Sequence, residues 1–232
     1  MPLFFTLFDP TMLIVLPALI LALWAQINVS TTFSKYNKFN TRGGVTGHDA
    51  ARRILDQNGL YDVAIECIPG DLTDHYDPRA NVIRLSKSVY SSTSAAAVGV
   101  ASHEAGHAVQ HAVGYAPIKL RTSIIGVTNI GSILAMPLFI IGLFMANTYL
   151  MYAGIILYSL IALFQLVTLP VEFNASRRAM ASLSSSGLFT REELHASQKV
   201  LKAAALTYVA ALATSLLTIL RLLVLAGGRR RD

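Results

Sequence analysis

Long apolar runs alternate with two polar stretches along this chain. Four windows, residues 12–29, 123–146, 148–168 and 204–226, are mostly apolar. Each is close to the roughly 20 residues that a helix needs to cross a bilayer. The polar sequence is mainly 30–121, with a shorter piece at 170–203. The second and third windows are separated only by a short turn at Asn147, so they form a hairpin. Arg121 and Pro170 must then emerge on the same side of the membrane. No basic residue precedes the first window and Asn28 follows its apolar run, which is unlike a cleaved leader and reads as a retained helix. The expected division is 1–29 (first span), 30–121 (polar unit), 122–169 (hairpin), 170–203 (polar helix) and 204–232 (last apolar helix and basic tail).

The pattern inside 30–121 changes period. "TGHDAARRILDQNGL" reads as a helix with Thr46 as cap, His48 near its start, an apolar face of Ala50, Ile54 and Leu55, and Gly59 as terminator. "DVAIECI" alternates, placing Val63, Ile65 and Cys67 on one face of a strand with Cys67 buried. "PGDLTDHYDPRA" has turn composition, with Asp74, Asp77 and Pro78 as turn formers. "NVIRLS" follows as a second strand. Ser91–Ser94 then cap a helix that runs to about Val113 and ends at Gly114. The predicted fold is a mainly α membrane protein of about four spans carrying a small α+β unit with a two-stranded sheet.

Composition agrees. Charged residues make up 14% of the chain, against about 25% in soluble domains, and mean hydropathy is +0.52. The net charge of +6 has no aromatic-interleaved basic groove behind it, which argues against nucleic acid. Ten Lys and Arg lie in 30–121 and five in 170–203, with none before the first span or in the Asn147 turn. By the positive-inside rule both polar stretches face the cytoplasm. The tail "GGRRRD" breaks this pattern, so the last segment either defies the rule or stops short of crossing, with Arg221 snorkelling near its end. One cysteine excludes a disulfide framework.

The chemistry lies in "SHEAGHAVQHA". His103 and His107 are four apart, offset by about 40° and about 6 Å on a helix, so both reach one metal. Glu104 sits beside the first and can act as general base on a metal-bound water, the logic of HExxH metallopeptidases. A catalytic zinc needs a third protein ligand. His111 shares the helix face but lies about 12 Å from His103 along the axis, which favours a supporting role. Glu172 in "LPVEFNASRRAM" is the better candidate. Pro170 suits a helix start, the hairpin puts Glu172 on the side of His103, and Ala175, Ser176 and Ala179 permit close packing. Glu192 and Glu193 follow Thr190 as a helix cap and are expected to be solvated. For an oxyanion donor, His75 and Tyr76 are candidates, with His195 and Arg177 behind them. The strand 81–86 is a candidate for pairing with an extended peptide.

"SHEAGHAVQHA", "LTDHYDPRANVIRLS" and "LPVEFNASRRAM" together resemble the YugP-like neutral zinc metallopeptidases of bacterial membranes, across roughly 46–183. That family is similar to the gluzincin membrane peptidases of HtpX and CAAX-protease type. The resemblance implies one Zn2+ per chain on His103, His107 and Glu172, with Glu104 as base. It implies a multi-pass protein of the bacterial cytoplasmic membrane that cleaves membrane-associated or misfolded proteins. The HtpX-type pattern has Asp four residues after the glutamate, orienting a ligand histidine; here Ser176 stands there, with Asn174 as a further candidate for that task. Two competing functions are a zinc-binding membrane scaffold without turnover and a metal transporter. The spans hold almost no ionisable residue besides Arg221, which disfavours the transporter.

Overall fold

In a computed structural model of the chain, residues 9–71 and 73–228 are described. The order is α1 (Met12–Tyr36), α2 (Gly47–Gln57), β1 (Ala64–Ile68), β2 (His75–Asp77), β3 (Val82–Ser86), α3 (Lys87–Tyr90), α4 (Ala95–Ala112), α5 (Ala116–Phe144), α6 (Thr148–Ser185) and α7 (Arg191–Gly228). Helices α1, α5, α6 and α7 are long and apolar enough to cross a membrane. The chain divides into two compact units. One takes the chain up to Ala25, Leu120–Leu169 and everything from Thr207; the other takes Gln26–Lys119 and Pro170–Leu206.

In the first unit, Phe139, Met151, Ile155, Leu222 and Ala226 form a buried cluster. Gly142 and Gly154 let α5 and α6 approach closely: a Cβ on Gly154 would lie 2.7 Å from the Ala135 carbonyl oxygen. Arg221 has protein partners. Its Nε donates to Thr11 Oγ1 at 3.2 Å, and its Nη2 lies 3.9 Å from Asp9 Oδ2. The end of α7 and the start of α1 therefore share one face of this unit. The basic run Arg229–Arg231 lies outside the described residues.

The second unit is built on α2, α4 and the sheet. Thr46 and Asp49 form a reciprocal capping box at the start of α2. Ile54, Leu55, Ile83, Leu85, Val89 and a row of alanines on α4 make the core. Among the described residues three strands are present, in the order β1-β3-β2, with β1 parallel and β2 antiparallel to β3. The expected two-stranded sheet is thus one strand short. His75–Asp77 is too brief for alternation to show, and it pairs with Val82–Arg84 as a short hairpin inside the stretch read as turn. Asp77 does act as a turn former, accepting from Arg79 N and Ala80 N. Because β3 is central, both of its edges are used, and the idea that 81–86 receives a peptide by edge addition is withdrawn. Cys67 is exposed, since β1 is an edge strand whose far end leaves the core.

Two further expectations change. Pro170 does not start a helix: α6 runs unbroken through it. Proline removes one intrahelical bond, which the long apolar run before it outweighs, and the boundary between the units falls at this residue. Glu193 is buried, at 2% exposure. It caps α7 through Thr190 as expected, and it also accepts from Arg42 N at 2.7 Å. Glu192 stays exposed.

Candidate metal centre

Helix α4 is capped by Ser94, whose hydroxyl accepts from Ala97 N, and the chain turns away just past its end at Gly114, with φ +63°. Its small residues decide how close α6 can come. A Cβ on Gly106 would lie 2.6 Å from the Ala175 carbonyl oxygen, so only glycine permits this crossing. Close approach sets Glu172 and Ser176 opposite His103 and His107.

His103 Nε2 lies 3.1 Å from His107 Nε2 and 3.1 Å from Glu172 Oε2; His107 Nε2 lies 3.6 Å from the same oxygen. A tetrahedral zinc with ligands at about 2.0–2.1 Å holds them roughly 3.3–3.4 Å apart. The observed triangle therefore matches the spacing zinc requires. Glu172 is buried at 3% exposure, and His107 is at 9%.

The hydrogen-bond partners of the histidines decide where their lone pairs point. Gln110 is fully buried. Its Nε2 donates to the Val171 carbonyl at 2.8 Å and to Asn174 Oδ1 at 3.0 Å. A carbonyl only accepts, so the amide orientation is fixed and Oε1 faces His107 Nδ1 at 3.0 Å. Nδ1 must then carry the proton, which leaves Nε2 bare in the neutral ring. Asn174 Oδ1 also accepts from Arg178 Nε at 2.8 Å, so the donations from His107 to Gln110 and from Gln110 to Asn174 meet that of Arg178 at one oxygen. Ser176 Oγ sits 3.1 Å from His103 Nδ1 and can accept its proton in the same way. Two imidazole nitrogens and a carboxylate oxygen thus converge as acceptors, an arrangement that calls for a shared cation.

Glu104 points at the same place from the side of the sheet. One of its oxygens accepts from Tyr76 N at 3.0 Å, across from β2. Burial pushes its carboxyl up, while the imidazoles of His103 and His107 oppose this. Asp74 holds the start of β2 in place by accepting from Ser86 N and Oγ at 2.7 and 3.0 Å. Burial pushes Asp74 up too, against those hydrogen bonds.

The other candidates fall as follows. Asn174 serves a ligand only through Gln110, not directly. His111 stands beside the Tyr76 ring at 5.5 Å between centroids and is outside the three-donor group. The Tyr76 hydroxyl donates to Asn81 Oδ1 at 3.1 Å; its backbone, not its phenol, meets Glu104. His75 is exposed on the opposite face of β2, with Nδ1 2.8 Å from the Thr73 carbonyl oxygen. Arg177 is exposed on α6, and His195 lines a separate cavity. Gln110 was missed in the sequence, although it stands three residues after His107 and thus one turn along the same helix face.

Comparison with known proteins agrees with this geometry. The chain is 50% identical over 208 residues to "Putative membrane protease YugP" of Bacillus subtilis (strain 168), covering 90% of this chain and 92% of that protein. No solved structure matches it. A family model described as "Putative neutral zinc metallopeptidase" matches residues 11–227. Nearly the whole described chain is covered, and the chain belongs to this neutral zinc metallopeptidase family.

Proposed function

We propose that the chain is an integral-membrane zinc metalloendopeptidase with one Zn2+ held by His103, His107 and Glu172. The observation that carries this reading is the convergence of three acceptor atoms at zinc spacing, with the His107 proton held on its far nitrogen by Gln110. Zinc in such a site acidifies a water and polarises the scissile carbonyl. Glu104 takes the proton of the attacking water through the oxygen that Tyr76 N leaves open. It later delivers that proton to the amine as the C–N bond breaks, giving a free amine and a carboxylic acid that ionises to solvent. A base with a raised pKa suits this exchange at neutral pH. The supporting chain fixes the His107 ring, and Ser176 fixes that of His103.

The basic residues of 30–121 and 170–203 favour a cytoplasmic active site at a bacterial inner membrane, acting on membrane-associated or misfolded proteins. Glu104→Gln tests the reading against a scaffold without turnover. The purified variant is expected to keep its zinc and lose cleavage of a peptide library that wild type cleaves. A wild type that binds zinc and cleaves none of that library favours the scaffold.

A further inference from the structure

Glu104 is held by a backbone group, and a backbone group must itself be placed. Glu104 Oε2 accepts from Tyr76 N at 3.0 Å, across the free edge of β2. Strand β2 is 3 residues long, so its ladder alone is a weak anchor. The side chains that fix Tyr76 are therefore part of how Glu104 is aimed.

Two clamps flank Tyr76. On one side Asp74 accepts from Ser86 N and Oγ. On the other stands Asn81, the last residue of the turn between β2 and β3. Its φ of +52° lies in the left-handed region that glycine and asparagine enter most readily. Its carbonyl oxygen accepts from Ala64 N at 3.2 Å, which ties the turn to β1. Its side chain reaches two more groups. Nδ2 donates to Asp62 Oδ2 at 2.9 Å, and Oδ1 accepts from the Tyr76 hydroxyl at 3.1 Å.

A carboxylate only accepts, so Asp62 fixes which way the Asn81 amide faces and leaves its oxygen to the phenol. Donation runs one way, from Tyr76 through Asn81 to Asp62, and each bond polarises the next. The Tyr76 ring packs on the core shared by α2, α4 and the sheet. With the ring seated and the hydroxyl tied, the side chain is held along its length, and the direction of the Tyr76 N–H is set. The left-handed backbone explains why asparagine or glycine suits position 81. It does not require an amide that bridges a carboxylate to the one phenol whose backbone meets Glu104.

We propose that Asn81 is a positioning residue for Glu104, acting through Tyr76. It keeps the Tyr76 N–H on Glu104 Oε2, and so keeps the other carboxylate oxygen turned toward the attacking water. This inference rests on the peptidase reading above. The hydrogen bonds of Asn81 reach none of the three metal donors, so its effect is on the base and not on zinc.

The test uses the full chain in detergent with Asn81→Gly. Glycine keeps the left-handed backbone without strain and deletes both side-chain bonds. In the zinc-loaded enzyme, kcat on a peptide that wild type cleaves is expected to fall about tenfold, part of the roughly 100–10,000-fold that a placed general base contributes. KM and zinc content should stay at wild-type values. In the metal-free protein, hydrogen exchange at the Tyr76 amide should quicken by about two- to tenfold, the worth of one hydrogen bond. Asn81→Asp keeps an acceptor for Tyr76 but sets two carboxylates together, and kcat should fall again. Adding Asp62→Asn returns the donor from the other side and should restore both kcat and amide protection. If Asn81→Gly fails to fold, Tyr76→Phe removes the same bond from its other end and should give the same split between kcat and KM. A role in the turn alone predicts wild-type kcat and amide protection in Asn81→Gly, and that result overturns the proposal. So does a paired Asp62→Asn and Asn81→Asp variant no better than Asn81→Asp. A wild type that cleaves no peptide overturns the peptidase reading and this inference with it, whereas a cleaving wild type matched by Asn81→Gly overturns this inference alone.

Discussion

Replacing Gln110 with leucine is the most informative single change. The substitution keeps much of the volume and removes three hydrogen bonds at once: to His107 Nδ1, the Val171 carbonyl oxygen and Asn174 Oδ1. Asn174 retains its bond from Arg178. The His107 N–H does not regain a partner, because Gln110 is fully buried and water has no ready path, whereas the Val171 carbonyl keeps its bond within α6. One orphaned buried group costs about 1–3 kcal/mol, and the metal-free protein should lose roughly that much. The effect on metal is separate. Without the acceptor, the His107 ring can turn or move its proton to Nε2, which removes a ligand lone pair. Loss of such a supporting partner typically weakens metal affinity about 10–100-fold. Zinc affinity by chelator competition and unfolding of the metal-free form by denaturant read the two effects independently. Gln110→Glu is the useful companion: it restores an acceptor for His107 but sets a carboxylate against two acceptor oxygens. It should recover part of the zinc affinity while remaining destabilised. The reasoning is refuted if Gln110→Leu binds zinc as tightly as wild type and unfolds at the same denaturant concentration.

Other outcomes follow from the same geometry. Gly106→Ala places a methyl 2.6 Å from a backbone oxygen that cannot rotate away, so α4 and α6 must separate; an overpacking cost of about 1–3 kcal/mol and a clear fall in zinc affinity are expected by the same two assays. Acidification should release zinc with proton uptake. Burial lowers the His107 pKa, but the hydrogen bond that the protonated ring donates to Glu172 and the charges of Glu104 and Glu172 outweigh it and leave it raised. A proton therefore competes for this site already near neutral pH, and zinc affinity should rise with pH until His107 is fully deprotonated; affinity that is flat from acid to neutral pH counts against the ligand set.

How legible all this was depends on the range of the interaction. The capping box at Thr46, the terminators Gly59 and Gly114, and the apolar windows are local patterns, and they appear where the residues place them. His103, Glu104 and His107 are also local, since one turn of helix brings them together. Glu172 was reachable only because the hairpin forces Arg121 and Pro170 to one side. What stayed hidden was long-range or backbone-made. Strand β2, though it pairs locally with β3, is three backbone-paired residues inside a stretch of turn composition, too few to show a period. Tyr76 meets Glu104 through its N–H rather than its hydroxyl. Gln110 reads as an ordinary polar helix residue until α6 supplies the Val171 carbonyl and Asn174. Pro170 misled because a long apolar helix carries through one missing hydrogen bond.

The central claim is that zinc is bound by two histidines of α4 and one glutamate of α6. Zinc content per chain, measured on detergent-purified wild type and Glu172→Ala, tests it most directly. One zinc in wild type, lost or much weakened in the variant, is the predicted result. Full retention in Glu172→Ala, or no zinc in wild type after incubation with excess metal, contradicts it.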